Sequence, residues 1–295
     1  MNNSIKFAAV GDIALTHKYD GLLPNQRVDY PFEYVKDFFH QYDIAFANLE
    51  APFTRRSVTY PLKCSLKADP DYVVGLKNAG INVVSLANNH ILDYQEEAMY
   101  ETMRLLEKHG ILYFGAGRNL AEARKPAVSE KNGFKAGFLG YCDVIIDSPF
   151  YAKVDERGVA PFQMEHVQQD IHALRPQVDL LILSLHWGTE NFPLASPRQI
   201  QLGRQLIDSG ADIILGHHPH VVQRLERYKG GYIAYSLGNF LFSDIEWSWY
   251  NSTGEQKSSR VTLEKKNKKS MVFSASYDGA VIAVKGFPGK VNETY

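Results

Sequence analysis

Apolar, strand-like segments alternate with helix-like segments through the first half of the chain, and this alternation limits its possible folds more than any other feature. The segments that are rich in strand-forming residues lie at 6–10, 44–49 and 81–86. The segments with helical spacing or helix-capping residues lie at 31–40, 69–78 and 95–109. Strand–helix–strand units of this kind predict parallel strands in an α/β fold.

The middle of the chain continues this pattern. An almost unbroken apolar run at 178–185 predicts a strand that is covered on both faces. Further strands are predicted at 137–141 and 213–215, and helices are predicted at 165–174 and 197–209.

Towards the C-terminus the strands become more frequent. The segments 232–236 and 271–284 are rich in strand formers with no helix between them, which predicts partly antiparallel sheets. Residues 147–163 are predicted to form a long surface loop, and the polar residues 245–270 a mobile loop. Because the sequence shows no internal repeat and no strong linker, we expect a single domain over 1–295.

Composition excludes several classes of protein. The 32 basic and 33 acidic residues give a net charge of -1, so no nucleic-acid partner is expected. The two cysteines, Cys64 and Cys142, have neither metal-binding spacing nor the density of a disulfide framework, and we expect both to be at least half-buried. No apolar run is long enough to span a bilayer and no signal peptide is evident, which predicts a cytoplasmic chain without a membrane span, with a truncated exported form as the alternative.

Potential metal ligands stand at the ends of five predicted strands. Each has an ordinary interpretation on its own, as a turn former, a helix cap or a structural histidine, but the five strand ends together favour a site. The residues are Asp12, Glu50, Asn89, His186, and the pair His218 and His220. Ligands of open α/β sheets bind beyond the carboxyl ends of the strands. This mixed nitrogen and oxygen set predicts one or two divalent transition metals, of the kind Mn, Fe, Zn or Ni.

Seven motifs give the chain a family resemblance, and they occur in the family's order over roughly residues 5–243. They are Gly11-Asp12, Asn48-Leu49-Glu50 with Thr54, Ser85 to Tyr94 including Asn88-Asn89-His90 and Asp93, Gly115-Ala116-Gly117 with Glu122, His186-Trp187-Gly188, Gly216-His217-His218-Pro219-His220, and Ser236 to Phe240. The chain resembles the CapA or poly-γ-glutamate capsule synthesis family, within the calcineurin-like metallophosphoesterase superfamily. The resemblance implies a four-layer αββα sandwich with mixed sheets, and a metal centre built by the six ligands above.

Three positions depart from the superfamily pattern. Ala14 stands where Asp-x-His would supply a further histidine, and His17 can replace it only if the loop folds back. Glu50 stands where a bridging aspartate is usual, so two metals are less firmly implied than one. Gln95 takes a place where glycine is commoner, which we expect to affect only a turn.

The resemblance implies a metal-dependent hydrolase in which His90 protonates the leaving oxygen. Asp93 either orients the His90 ring or caps the helix that follows. Arg55, Lys63 and Lys67 either bind an anionic substrate or are surface charges.

Three functions remain open on the sequence. The first is a phosphoesterase, by fold-level analogy. The second is a metal-dependent amide or γ-glutamyl hydrolase. The third is a non-catalytic accessory protein that binds an anionic polymer during capsule synthesis or export. The expected partners are an anionic small-molecule or polymer substrate and other capsule-synthesis proteins.

Overall fold

Two large mixed sheets form the centre of the protein, which is represented by a computed structural model. The structure describes residues 4–16, 19, 28–59, 63–144, 150–250, 255–279 and 282–290. The helices are α1 (Lys36–Phe39), α2 (Tyr72–Asn78), α3 (Gln95–Lys108), α4 (Leu120–Ala123), α5 (Met164–Leu174) and α6 (Pro197–Asp208). Short 3-10 turns lie at Tyr30–Phe32 and Arg175–Gln177.

The strands are numbered in chain order. They are β1 (Ile5–Ile13), β2 (Ile44–Leu49), β3 (Val83–Ser85), β4 (Leu112–Phe114), β5 (Ala116–Gly117), β6 (Ala127–Lys131), β7 (Phe134–Cys142), β8 (Gly158–Val159), β9 (Leu180–His186), β10 (Ile213–His217), β11 (Leu225–Tyr228), β12 (Gly231–Ala234), β13 (Asn239–Leu241), β14 (Ile245–Tyr250), β15 (Gln256–Val261), β16 (Lys269–Tyr277) and β17 (Ile282–Lys290).

The first sheet has the order β17-β16-β1-β2-β3-β4, and β13 also pairs with β1. The strands β1 to β4 run parallel to one another. Strand β16 runs antiparallel to β1, and β17 runs antiparallel to β16. The second sheet has the order β11-β12-β10-β9-β7-β6, with a parallel centre and an antiparallel strand at each edge. The prediction of mixed sheets is therefore confirmed.

Strand alternation explains how the sheets stack. On β2, Phe46 belongs to the core between the two sheets, whereas Ala45 belongs to the core under the first helix layer. On β9, Ile182 faces the inter-sheet core, and Leu181 faces the second helix layer. Successive side chains of a strand point to opposite faces, so each sheet is apolar on both sides.

Helices cover the two outer faces. Helices α2 and α3 pack on the first sheet through Leu76, Met99 and Leu106. Helices α5 and α6 pack on the second through Ile171 and Leu206. The predicted four-layer αββα architecture is therefore confirmed.

Three segments differ from the sequence prediction. The predicted helix at 31–40 consists of a 3-10 turn at Tyr30–Phe32 and the single helical turn α1. Residues 245–261 include the antiparallel hairpin β14–β15 rather than an unbroken loop, and β16 already begins at Lys269. On β14 the apolar residues Ile245, Trp247 and Trp249 alternate with Glu246 and Ser248, which is a strand signal, whereas β15 is polar and shows no such alternation. The predicted surface loop at 147–163 contains β8 and the buried side chains of Phe150 and Ala152. The single-domain organisation stays a prediction.

Smaller features also follow from the sequence. The free thiol of Cys142 is buried and that of Cys64 is half-buried. Gln95 has a φ of 67°, in the left-handed region that favours glycine, which explains why glycine suits this turn. Within the described ranges, no helix is both long and apolar enough to cross a membrane.

Candidate metal centre

The predicted ligands meet where the carboxyl ends of strands from both sheets come together. Asp12 on β1 lies opposite Asn48 on β2, and His186 on β9 lies opposite His217 on β10. Gly11 lets β1 approach the Gly238 turn, since a Cβ at Gly11 would lie 1.7 Å from the Gly238 carbonyl oxygen. The topology thus brings distant segments of the chain to one buried point.

Asp12 is the best-anchored carboxylate of this cluster. Its Oδ1 accepts a hydrogen bond from Asn48 Nδ2 at 2.9 Å and lies 3.2 Å from His217 Nδ1. Its Oδ2 accepts from the His218 backbone N–H at 3.3 Å. Burial raises the pKa of Asp12, but the hydrogen bond to His217 and the charges of the neighbouring histidines outweigh it and leave the pKa below its ordinary value. Asp12 is therefore an ionised, fixed oxygen donor.

Glu50, unlike Asp12, has no side-chain hydrogen bonds to the described residues and has a raised pKa. It is fully buried, and neither of its carboxylate oxygens has a hydrogen-bond partner within the described part of the chain. Its Oε1 lies 3.7 Å from His186 Nε2 and 3.6 Å from His220 Nε2. Burial, followed by the negative charges of Asp12 and Glu190, raises the pKa of Glu50 well above its ordinary value. A buried carboxylate without partners is costly, and a cation among these groups would compensate for it.

The histidines present neutral nitrogen donors. Burial lowers the pKa of His186 well below its ordinary value, and burial together with the charge of His220 lowers the pKa of His218 to about 3. His186 Nε2 lies 2.7 Å from Asn89 Oδ1, so two predicted ligand atoms face each other. Metal ligation requires the neutral imidazole.

His220 is oriented by a residue that was not predicted from the sequence. Its Nδ1 lies 2.9 Å from Asn239 Oδ1. An amide oxygen only accepts hydrogen bonds, so the proton sits on Nδ1 and the Nε2 lone pair is free for a cation. Asn239 is the register partner of Asp12 in the β1–β13 pair, which explains how it reaches the site.

The turn that carries both histidines has an unusual backbone. His218 has a φ of 92° and His220 a φ of 54°, both in the left-handed region. Such conformations cost of order 1–3 kcal/mol each and cluster at functional sites. In this turn the ring centroids of His218 and His220 are 6.0 Å apart, and the His220 ring lies beside Asp12 and Glu50.

His90 lies at the rim of this cluster with its predicted partner. His90 Nδ1 is 2.7 Å from Asp93 Oδ2, and the Asp93 side chain is fully buried. Lys63 Nζ forms an ion pair with Asp93 Oδ1 and donates to the Asn89 carbonyl oxygen at 2.5 Å. The side chain of Asp93 therefore contacts the His90 ring, and Lys63 contacts Asp93.

The other two predicted substrate-binding cations have different surroundings. Arg55 is exposed and pairs with Asp69 and Asp71. Lys67 donates to the Arg56 carbonyl oxygen at 2.6 Å and lies over the Tyr94 ring. Neither set of contacts includes a residue of the metal cluster, and a substrate-binding role for these residues stays a prediction.

Some residues at the site were not singled out from the sequence. Asn48 and His217 hold Asp12, and Glu190 lies beside His218 and His220. Asn48 and His217 stand inside the quoted motifs, so their position was a usable signal. Ala14 is fully buried at the end of β1, and His17 lies outside the described residues.

Known proteins resemble this chain over most of its length. Residues 6–244 match the family described as "Bacterial capsule synthesis protein PGA_cap". The PGA biosynthesis protein CapA of Bacillus subtilis is 35% identical over 81% of this chain and 63% of its own length. The capsule biosynthesis protein CapA of Bacillus anthracis is 32% identical over 84% of this chain and 62% of its own length. The chain therefore spans less than two thirds of these relatives.

Among solved structures, one described as a novel phosphatase from Mycoplasma pneumoniae superposes with a TM-score of 0.58 at 16% identity, covering 98% of this chain and 95% of the other.

The chain thus shares its fold with this phosphatase and with a putative 5′-nucleotidase from Staphylococcus aureus, which superposes with a TM-score of 0.58 at 13% identity and covers 99% of this chain and 55% of the other. Within this fold class, the chain belongs to the bacterial capsule synthesis protein PGA_cap family.

Proposed function

We propose that this chain is a metal-dependent hydrolase of the phosphoesterase type that acts in poly-γ-glutamate or capsule biosynthesis. The observation that carries the proposal is Glu50, a fully buried carboxylate with both oxygens unpaired in the described structure, beside the Nε2 atoms of His186 and His220. Such an arrangement is costly in a protein that binds nothing there and is expected in one that binds a cation.

The residues present fit a divalent metal. Asp12, Glu50 and His220 each offer a ligand atom within 4.8 Å of the others, and Asn89, His186 and His218 would supply the remaining donors. Oxygen and imidazole donors suit Mn, Fe, Zn or Ni, whereas thiolate-seeking metals find no cysteine among these six residues. A bound divalent cation supplies Lewis acidity, which acidifies water and offsets negative charge on the scissile group.

His90 is the proposed general acid. Its Nδ1 lies against the Asp93 carboxylate, which only accepts hydrogen bonds, so Nδ1 carries a proton and the ring orientation is fixed. In the doubly protonated ring Nε2 also carries a proton, which it gives to the leaving oxygen, and the neutral ring that remains keeps its Nδ1–H on Asp93. The ion pair from Lys63 keeps Asp93 in place. Arg55 and Lys67 remain proposed contacts for the distal part of an anionic substrate.

The substrate class is tested by a metal-supplemented screen over phosphomonoesters, phosphodiesters and γ-glutamyl peptides. The proposal predicts turnover of a phosphate ester. It also predicts that His90→Ala retains bound metal and loses turnover, while His109→Ala, at the end of α3, changes neither. Turnover that is unchanged in His90→Ala would remove His90 from the mechanism. Turnover of γ-glutamyl peptides alone would reassign the chain to amide hydrolysis.

A second candidate is a non-catalytic accessory protein that binds an anionic polymer. Ala14 favours it, because a small apolar side chain stands where the phosphoesterase pattern has a ligand. Saturable binding of poly-γ-glutamate without turnover of any member of the screen would support this candidate over the hydrolase.

A further inference from the structure

Glu190 lies on the loop after β9, four residues beyond His186. One carboxylate oxygen of Glu190 and one ring nitrogen each from His218 and His220 all lie within 4.8 Å of one another. This group is separate from the buried group of Asp12, Glu50 and His220, although the two share His220. Its composition, one carboxylate and two imidazoles, is that of a transition-metal site rather than of a surface acidic patch.

Two observations independent of this proximity point to a ligand. His218 is 5% exposed, and its Nδ1 has no hydrogen-bond partner within the described residues. Glu190 itself has no hydrogen bond or ion pair to any residue the structure describes, although it is exposed and basic residues are common on the surface. A buried imidazole with an unpartnered nitrogen and an unpaired carboxylate therefore belong to the same group of potential ligands.

The loop that carries Glu190 is tied to the histidine turn. The Asn191 N–H donates to the Pro219 carbonyl oxygen at 2.8 Å, directly between His218 and His220 in the chain. Asn267 Nδ2 donates to Asn191 Oδ1 at 2.6 Å and to the His220 carbonyl oxygen at 3.1 Å. These contacts hold the two segments in one arrangement, so the position of Glu190 beside the histidines is built into the fold.

The glycine that precedes this loop supports the same conclusion. Gly188 has a φ of 93°, and a Cβ at this position would lie 2.6 Å from Gln199 Nε2 at the start of α6. Next to this turn, the Trp187 N–H donates to the His217 carbonyl oxygen at the end of β10 at 3.1 Å. The negative charge of Glu190 also contributes to the raised pKa of the buried Glu50 carboxyl group.

We propose that Glu190 is a further metal ligand, which binds a cation on the solvent side of the centre together with His218 and His220. The inference rests on the metal centre of the proposed function. His220 has one free imidazole nitrogen, which binds one cation. When that cation is the outer one, His186 takes the place of His220 beside Asp12 and Glu50, because its Nε2 lies 3.7 Å from Glu50 Oε1. Glu190 thereby supplies a donor to a centre in which Ala14 supplies none.

The test is direct metal binding by Glu190→Gln, with Glu130→Gln as the matched control. Glu130 is an exposed glutamate on β6 whose ion pair with Lys135 is at 4.0 Å. Isothermal titration of the metal-free proteins with Mn²⁺ measures the number of equivalents and their affinities. We expect Glu190→Gln to lose one equivalent or to bind it more than about tenfold more weakly, because even residues behind a ligand contribute 10–100-fold. Glu130→Gln should match the unsubstituted protein.

A second measurement separates ligation from a field effect. Exposed charges are screened at high salt, where the Debye length falls to about 3 Å at 1 M. A loss of affinity in Glu190→Gln that persists at about 1 M salt supports ligation. The inference is overturned, and the metal centre left in place, if the loss of affinity in Glu190→Gln disappears at high salt. Unchanged affinity at both salt concentrations has the same meaning. Absence of binding by the unsubstituted protein in titrations with Mn²⁺, Fe²⁺, Zn²⁺ and Ni²⁺ overturns the metal centre itself.

Discussion

Replacing Glu50 by glutamine should change the stability of the protein in opposite directions with and without metal. In the metal-free protein Glu50 is buried with both oxygens unpaired within the described structure, and its pKa is raised by burial and by the charge of Asp12. Glutamine keeps the shape and removes the charge. Unsatisfied buried groups cost about 1–3 kcal/mol and more when charged. Glutamine retains polar atoms, so we expect Glu50→Gln to stabilise the metal-free protein by about 1–3 kcal/mol at neutral pH.

When metal is present, Glu50→Gln should destabilise the protein instead. A ligand that binds only the folded state stabilises it by about 4 kcal/mol at a free concentration 1,000 times its dissociation constant. Glu50→Gln loses most of this gain because it removes a donor from the inner group. The variant should therefore unfold at a higher temperature than the unsubstituted protein in chelator and at a lower temperature in excess metal. A domain of this size shifts Tm by roughly 2–4 °C per kcal/mol, which thermal unfolding resolves.

The pH dependence follows from the same shift. A carboxyl group whose pKa is raised on folding stabilises the folded state fully below its unfolded pKa, and this contribution is lost as pH rises through the folded value. The advantage of Glu50→Gln in chelator should therefore shrink in acid. Asp12→Asn is the matched control, because the pKa of Asp12 is lowered and its oxygens accept hydrogen bonds from Asn48 and His218. It should destabilise the metal-free protein. Equal effects of the two variants in chelator would refute the reasoning.

Three further predictions concern single contacts. Gln95→Gly should raise the free energy of unfolding by about 0.5–1 kcal/mol in a denaturant titration, because Gln95 has a φ of 67°; no gain would mean that other contacts of Gln95 outweigh its backbone. Trp187→Phe should destabilise by about 1–3 kcal/mol, because the buried indole N–H donates to the Tyr235 carbonyl oxygen at 3.0 Å; an unchanged denaturation midpoint would contradict this. Lys63→Met should lower kcat on the substrate found by the screen and leave metal content intact, because Lys63 holds Asp93 against His90; a rise in KM alone would indicate substrate binding instead.

Much of the architecture could be predicted because its signals are local. The apolar run that forms β9 and the helical spacing of Met99, Met103 and Leu106 each depend on a few neighbouring residues. The carboxyl ends of parallel strands meet at one sheet edge, so the sequence alone was enough to expect Asp12 near Glu50 on the first sheet and His186 near His218 on the second. Family resemblance then supplied the layer order.

The unpredicted parts depend on contacts between distant segments. Asn239 reaches His220 because β13 pairs with β1, and no local pattern marks such a short strand. Lys63 meets Asp93 across 30 residues of sequence, so the sequence offered only a cation near a motif. The polar strand β15 lacks the alternation that identifies a half-buried strand, although its partner β14 has it. Glu190 had no spacing relation to the histidines that follow the next strand.

The most direct test of the metal centre is the metal content of the purified protein. The protein is produced with supplemented Mn, Fe, Zn and Ni, separated from free metal and analysed by elemental methods, beside a His218→Ala/His220→Ala variant. We predict at least about one equivalent of a divalent transition metal in the unsubstituted protein and a large loss in the variant, since ligand removal weakens binding. Less than about a tenth of an equivalent in the supplemented protein, or equal content in the variant, would contradict a metal centre at these strand ends.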